Sequence, residues 1–215
     1  MPELILVRHG ETDGQSSIRL NGATDVGLSP LGRQQMTRVA EALAAESFER
    51  VLVSPLRRSQ QSAAIVRPGA EMTLIPGFRE IHFGRWETWT FAEAAERDPQ
   101  TYAEWSRGEV DFAFPGGESR QGFYQRVRDA ALTTLLPLEQ RTLAVLHKGV
   151  IKAILGALLQ RSWEAYRSAP CHLGSIHRLH IEGQDVVLQE SNLTSHLGET
   201  WQEDHPAISL SKRSS

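Results

Sequence analysis

Three short apolar runs, each breaking off at a basic or imidazole side chain, constrain this chain more than any other feature. Leu4-Ile5-Leu6-Val7 stops at Arg8-His9-Gly10, Val51-Leu52-Val53 runs into Ser54-Pro55-Leu56-Arg57-Arg58, and Leu143-Ala144-Val145-Leu146 ends at His147-Lys148-Gly149. Short unbroken apolar runs bounded by glycine, serine or proline read as strands buried on both faces. Helical patterns follow them. Ser29-Pro30 supplies an N-cap and a proline for the first helical position, and Met36, Val39, Ala40 and Leu43 then form one stripe. Ser54-Pro55 is expected to cap and open a second helix, with Arg57 and Arg58 in its first turns. Val150 to Leu159 is a third helical run. Strands alternating with helices predict an α/β fold, a three-layer α/β/α sandwich with a mostly parallel central sheet.

Residues 78–118 differ in kind. Nine of the chain's 15 aromatic residues fall there: Phe78, Phe83, Trp86, Trp89, Phe91, Tyr102, Trp105, Phe112 and Phe114. They predict a small, aromatic-rich, mainly helical insertion that packs its own core and also walls a pocket above the sheet. Ser119 then opens a helix with Phe123, Val127, Ala131 and Leu135 at i, i+4 spacing. From Ser175 to Leu188 alternation predicts an antiparallel pair turning at Glu182-Gly183-Gln184. One domain is expected over residues 1–201, with 202–215 a polar tail.

Composition removes several classes. A chain of 215 residues, 40% hydrophobic and 23% charged, is ordinary globular material. Its net charge of −3 provides no field for nucleic acid. No apolar stretch reaches bilayer length, and no basic leader with an apolar core opens the chain. Cys171, the single cysteine, can close no internal disulfide and build no thiolate-rich zinc site. A cytoplasmic protein with no membrane or nucleic-acid partner is expected. Of the 23 bases only Lys148, Lys152 and Lys212 are lysines; the rest are arginines, which suit bidentate binding of phosphate or carboxylate.

In an open parallel sheet, strand-to-helix junctions gather at the carboxyl edge, where helix N-termini also present unpaired amides. The three junctions should therefore bring basic and imidazole side chains to one electropositive cavity. A phosphate dianion fits it, since each close opposite charge contributes about 4 kcal/mol at an effective dielectric near 20, before desolvation. Arg57 and Arg58 project about 100° apart around a helix, so only one can face the anion.

The motifs in order carry a resemblance. Leu4 to Thr12 reads L-I-L-V-R-H-G-E-T. It is followed by Arg19-Leu20-Asn21-Gly22-Ala23-Thr24-Asp25, Leu28-Ser29-Pro30-Leu31-Gly32 and Ser54-Pro55-Leu56-Arg57-Arg58-Ser59. Phe78-Arg79-Glu80, Phe83-Gly84, Trp86-Glu87, Pro115-Gly116-Gly117-Glu118-Ser119 and Leu146-His147 complete the series. Together they resemble the histidine phosphatase superfamily, the phosphoglycerate mutase-like proteins. The resemblance implies a metal-independent phosphomonoesterase of the histidine acid phosphatase type, with no cofactor, acting on small phosphorylated metabolites. His9 would be the nucleophile, forming a phosphohistidine; Arg8, Arg58 and His147 would bind the phosphoryl oxygens. Glu80 would be the proton donor to the leaving alcohol and then the base that activates water. Phe78 and Phe83 could desolvate it. Glu87 and Glu11 are its competitors for that role. Asn21 and Gly22 are further candidates for phosphate binding.

Two positions depart from the family pattern. Gln15 stands where asparagine is common, keeping the amide on a longer stem and a plausible contact to phosphate. Lys148 replaces a usual glycine; it could add a cation at the cavity rim and favour a more anionic substrate, although a solvent-facing orientation is the one expected. The motif selects Arg58 for the phosphate and leaves Arg57 to the surface.

A cofactor-dependent phosphoglycerate mutase is the alternative within the family, but such mutases carry a longer insertion after the glutamate. A non-catalytic phospholigand-binding module is the other alternative, and it would need neither nucleophile nor acid. His172, His177 and His180 lie close in sequence, yet residues 177 and 180 on one strand point to opposite faces, so no metal site is expected. Cys171 reads as a packed thiol. An apolar stripe on an edge strand could bury against a helix or a second copy, giving a homodimer.

Overall fold

The computed structural model describes residues 2–162, 165, 167, 169–183 and 185–202. Its strands are β1 (Glu3–Arg8), β2 (Arg50–Val53), β3 (Met72–Leu74), β4 (Thr142–Leu146), β5 (Ile176–Glu182) and β6 (Asp185–Leu193). Its helices are α1 (Pro30–Ala42), α2 (Arg57–Val66), α3 (Phe91–Arg97), α4 (Pro99–Ser106), α5 (Arg120–Leu135) and α6 (Lys148–Leu158). One sheet holds all six strands in the order β3-β2-β4-β1-β5-β6. The three apolar runs are its contiguous parallel centre, β2-β4-β1, and β3 adds a fourth parallel strand. β5 and β6 form the expected antiparallel pair beyond β1. Gln184 of its turn and residues 203–215 of the expected tail lie outside the described residues.

Alternation along the strands makes the layers. Leu4, Leu6, Leu52, Ala144 and Leu146 share one buried cluster with Phe123 and Val127 of α5 and Val150 and Ile154 of α6. Ile5, Val7, Val51, Val53, Leu143 and Val145 share the other with Met36 and Val39 of α1 and Ala63 and Val66 of α2. Helices thus cover both faces, and strands buried on both sides must be apolar at every position.

Three local expectations need correction. First, Ser54 does not cap α2, which starts at Arg57; Ser54-Pro55-Leu56 is a short link in which Ser54 Oγ accepts from the Leu56 amide. The first helical amide, that of Arg57, is instead taken by Asp25 Oδ1 at 2.7 Å. Second, α6 starts at Lys148, directly after His147. Third, the core of the 78–118 segment is not separate: its rings pack on one another, as Trp86 does on Trp105 and Phe114 and Phe91 on Trp105, but continue into the core of the sheet. Trp86, Phe91, Trp105, Phe112 and Phe114 belong to the same cluster as Leu4, Leu6 and α5. Helices as short as α3 and α4 bury too little to stand alone and depend on the sheet's core. Among the described residues no helix is long and apolar enough to cross a membrane.

Candidate active site

Strand register builds the centre of the site. Arg8 pairs with Leu146 across β1 and β4, and the His9 amide extends the ladder by donating to the Leu146 carbonyl at 3.0 Å. The next residue on each strand, His9 and His147, must then emerge side by side, as neighbouring strands lie about 4.8 Å apart. Their ring centroids are 5.1 Å apart, edge to face. Gly10 follows because α1 crosses here: a Cβ on it would lie 2.4 Å from the Gly32 carbonyl oxygen.

Hydrogen bonds set the two imidazoles to opposite roles. His9 Nδ1 is 2.8 Å from the Gly10 carbonyl, which can only accept, so Nδ1 carries the proton and Nε2 the lone pair. His147 Nδ1 is 3.2 Å from Arg58 Nε, which can only donate, so the proton of His147 is on Nε2. That Nε2 is buried without a hydrogen-bond partner among the described residues. Burial, together with the charges of Arg58 and Arg8, holds His147 far below the usual imidazole range. The two rings thus present opposite tautomers side by side.

Arg8 lines the cavity beside His9, its Nη1 donating to the Cys171 carbonyl at 2.7 Å. His147 is fully buried and does not line it, and neither does the equally buried Arg58. Four of its five N–H groups go to His147 and to the carbonyls of Thr24 (2.8 Å), Asn21 (2.9 Å) and Gly22 (2.8 Å). Burial lowers its pKa to about 10, with Glu80, Asp25 and Glu87 opposing the shift, so it stays charged at neutral pH. Arg57 is exposed.

The cavity, about 950 Å³ with its mouth, is lined by Arg8, His9, Ser16, Asn21, Glu80, Lys148 and Gly149 and by aromatic residues of the 78–118 segment. Glu80 is half-buried, its oxygens accepting from the amides of Ile81 (2.9 Å) and Gly149 (3.0 Å). Asn21 donates through Nδ2 to the Gly14 carbonyl. Gly22 lies outside the lining; a Cβ there would stand 1.9 Å from the Ile81 carbonyl oxygen, so the residue is small because backbones meet. Gln15 is also outside it. Its left-handed backbone (φ 55°) directs an exposed side chain to Arg19 Nε, and the following residue, Ser16, faces the cavity instead. Lys148 lines the cavity, contrary to the solvent-facing orientation expected. Its place at the first position of α6, immediately after His147, puts it on the same edge. Glu11 and Glu87 are spent on backbone amides: Glu11 on Thr12 and Ser17, Glu87 on Gly22, Ala23, Thr24 and Phe83.

The sequence profile of the histidine phosphatase superfamily (branch 1) matches residues 4–194. The chain belongs to this superfamily. Phosphoserine phosphatase 1 of Hydrogenobacter thermophilus is 30% identical over 97% of this chain and 100% of its own length. Among solved structures, the α-ribazole phosphatase of Shigella flexneri superposes with a TM-score of 0.80 at 28% identity, covering 89% of this chain and 96% of that one. A phosphoserine phosphatase of Entamoeba histolytica, solved with 3-phosphoglyceric acid, gives 0.77 at 30% identity over 92% and 100%.

In this histidine phosphatase the cavity wall also includes Lys152, Arg120 and Arg167, none of which sequence reasoning singled out. Two of the chain's three lysines standing four apart on one helix was the signal for Lys152. His177 and His180 do face opposite ways, paired with Leu6 and Glu3. Burial, aided by Lys152, holds His177 down to about 4, and burial pushes the Cys171 thiol up.

An acid-lability prediction follows from His147 and His177. Both stay neutral in the fold while the unfolded chain protonates near pH 6.5, so the unfolded state binds more protons below that pH. Stability is therefore complete well above pH 6.5 and declines as pH falls toward 4, where His177 begins to take up its proton in the fold as well. Urea midpoints measured from pH 7.5 to 5, above the carboxylate range, should fall steadily. A flat profile would mean that the fold accepts these protons.

Proposed function

We propose that the protein is a phosphomonoester hydrolase that works without metal, in the manner of histidine acid phosphatases, through a phosphohistidine on His9. The reading is carried by the opposed tautomers of His9 and His147 at one strand register. His9 Nε2 attacks phosphorus, forming the N–P bond as the P–O bond to the alcohol breaks. The leaving oxygen takes a proton from Glu80. Water then attacks the phosphohistidine, gives its proton to the Glu80 carboxylate, and releases phosphate with His9 restored. Arg8 and the His147 Nε2–H bind the non-bridging oxygens, and Arg58 supplies charge from behind while fixing the His147 tautomer. These protein cations do what a metal ion does in other phosphoryl transferases.

The substrates are small phosphorylated metabolites, as the names of the phosphoserine and α-ribazole phosphatase relatives suggest, and the site of action is the cytoplasm, in keeping with a lone, buried thiol. Turnover of p-nitrophenyl phosphate should be unchanged by excess chelator. Activity lost to chelator and restored by a divalent ion would sink the metal-free scheme. With 3-phosphoglycerate, isomerisation without net phosphate release would favour the mutase alternative over hydrolysis.

A further inference from the structure

Glu80 stands in irregular backbone. Residues 79–83 belong to no helix or strand, yet this stretch carries the carboxyl group that must meet the leaving oxygen. Strand register places His9 and His147; Glu80 has no strand of its own to do the same. It is held from outside the cavity lining, by Arg126 on α5 and by Glu118, the acid of the P-G-G-E-S run two residues before that helix.

Arg126 Nη1 donates to the carbonyls of Gly77 (2.8 Å) and Arg79 (3.0 Å), fixing the chain up to the residue before Glu80. Its Nε (2.9 Å) and Nη2 (2.8 Å) donate to the two oxygens of Glu118, a two-pronged pair that sets the guanidinium plane. The Glu118 amide in turn donates to the His82 carbonyl at 2.9 Å, two residues beyond Glu80. The turn before Glu118 grips the same side. The Arg85 amide donates to the Pro115 carbonyl at 2.9 Å, and a Cβ on Gly117 would stand 2.4 Å from the His82 carbonyl oxygen. One ion pair thus ties the backbone on both sides of Glu80, while the amides of Ile81 and Gly149 turn its carboxyl group. Stability explains the arrangement poorly. The two side chains are 30% and 24% exposed, and an ion pair that open contributes little.

We propose that Arg126, oriented by Glu118, is a positioning residue for proton transfer at Glu80, holding the carboxyl group where the leaving oxygen takes its proton. The proton passes from Glu80 to that oxygen as the P–O bond breaks; Arg126 keeps its own protons and touches no substrate. The inference rests on the reading of Glu80 as proton donor, and the test separates the two.

Leaving groups supply that test. p-Nitrophenolate departs without a proton, whereas the alkoxide of glycerol 3-phosphate needs one. kcat/KM covers the steps up to alcohol release. Arg126→Met should lower it for glycerol 3-phosphate about tenfold or more beyond any loss with p-nitrophenyl phosphate, part of the roughly 10²–10⁴-fold that a general acid supplies. With the aryl ester kcat and KM should fall together, because water's attack on the phosphohistidine still needs Glu80 as base. Glu80→Gln should give the same pattern more strongly. Adding Arg126→Met to it should widen the difference no further, since both act on one proton transfer. Glu118→Gln, which turns an amide N–H toward the guanidinium, should repeat the pattern at smaller size, and it carries the test if Arg126→Met fails to fold by circular dichroism. A loss equal for both esters, as removal of a charge felt by His147 would give, would overturn the inference. So would an Arg126 effect that persists in the Glu80→Gln background. If Glu80→Gln itself does not distinguish the esters, Glu80 is not the proton donor, and the inference falls with that reading.

Discussion

Replacing His9 with alanine is expected to lower phosphate release by about 10⁴-fold or more, the scale on which nucleophile deletions act in other covalent enzymes. The fold should survive. His9 is nearly buried, but its side-chain hydrogen bond is to the adjacent Gly10 carbonyl, and the register of β1 on β4 is set by backbone. The variant should therefore keep the wild-type circular dichroism spectrum and still bind inorganic phosphate through Arg8 and His147. A chemical signature goes with the rate. Wild-type enzyme quenched in alkali during turnover of a ³²P-labelled ester should retain label that acid removes, as expected of an N–P bond, and the variant should retain none. Label on the His9→Ala chain, or turnover within tenfold of wild type, would remove His9 from the mechanism.

The centre of the sheet was legible because its strands are buried on both faces, so each announces itself as an unbroken apolar run. β3 was not, being a three-residue edge strand with Thr73 and Leu74 exposed. The same contrast separates parts of the site. His9 and His147 are readable because they terminate such runs, and sheet register then does the positioning. Gln15 and Ser16 exchange places because a single left-handed residue rotates the loop, which side-chain chemistry does not reveal. Asp25 caps α2 from 32 residues upstream, a relation with no local pattern. Arg58 shows how identity can be legible where role is not. The S-P-L-R-R-S run selects it, but that its partners are three carbonyls of the 21–24 loop depends on tertiary packing.

That loop makes Glu87, a carboxylate away from the cavity lining, the residue whose loss should matter most after that of His9. Its oxygens accept from the amides of Phe83 (2.8 Å), Ala23 (2.9 Å), Thr24 (3.0 Å) and Gly22 (3.2 Å), and from the Thr24 hydroxyl. Pulling those amides inward turns the carbonyls of the same loop toward Arg58, and Arg58 in turn sets the His147 tautomer. Glu87→Ala leaves several donors in a half-buried loop without an acceptor. It should cost about 3 kcal/mol, a fall in Tm of roughly 6–12 °C for a chain of this size. Well below that Tm, kcat/KM should still be down by about 100-fold, because Arg58 loses the carbonyls that aim it and His147 the donor that keeps its proton on Nε2. Glu87→Gln should recover only part of this, since its amide nitrogen would face backbone donors. A purely structural glutamate would lower Tm and leave turnover of the folded fraction intact. If Glu87→Ala shows that separation, the coupling from loop to Arg58 to His147 is refuted. If both fall together, the carboxylate positions the catalytic imidazole from the far side of a buried arginine.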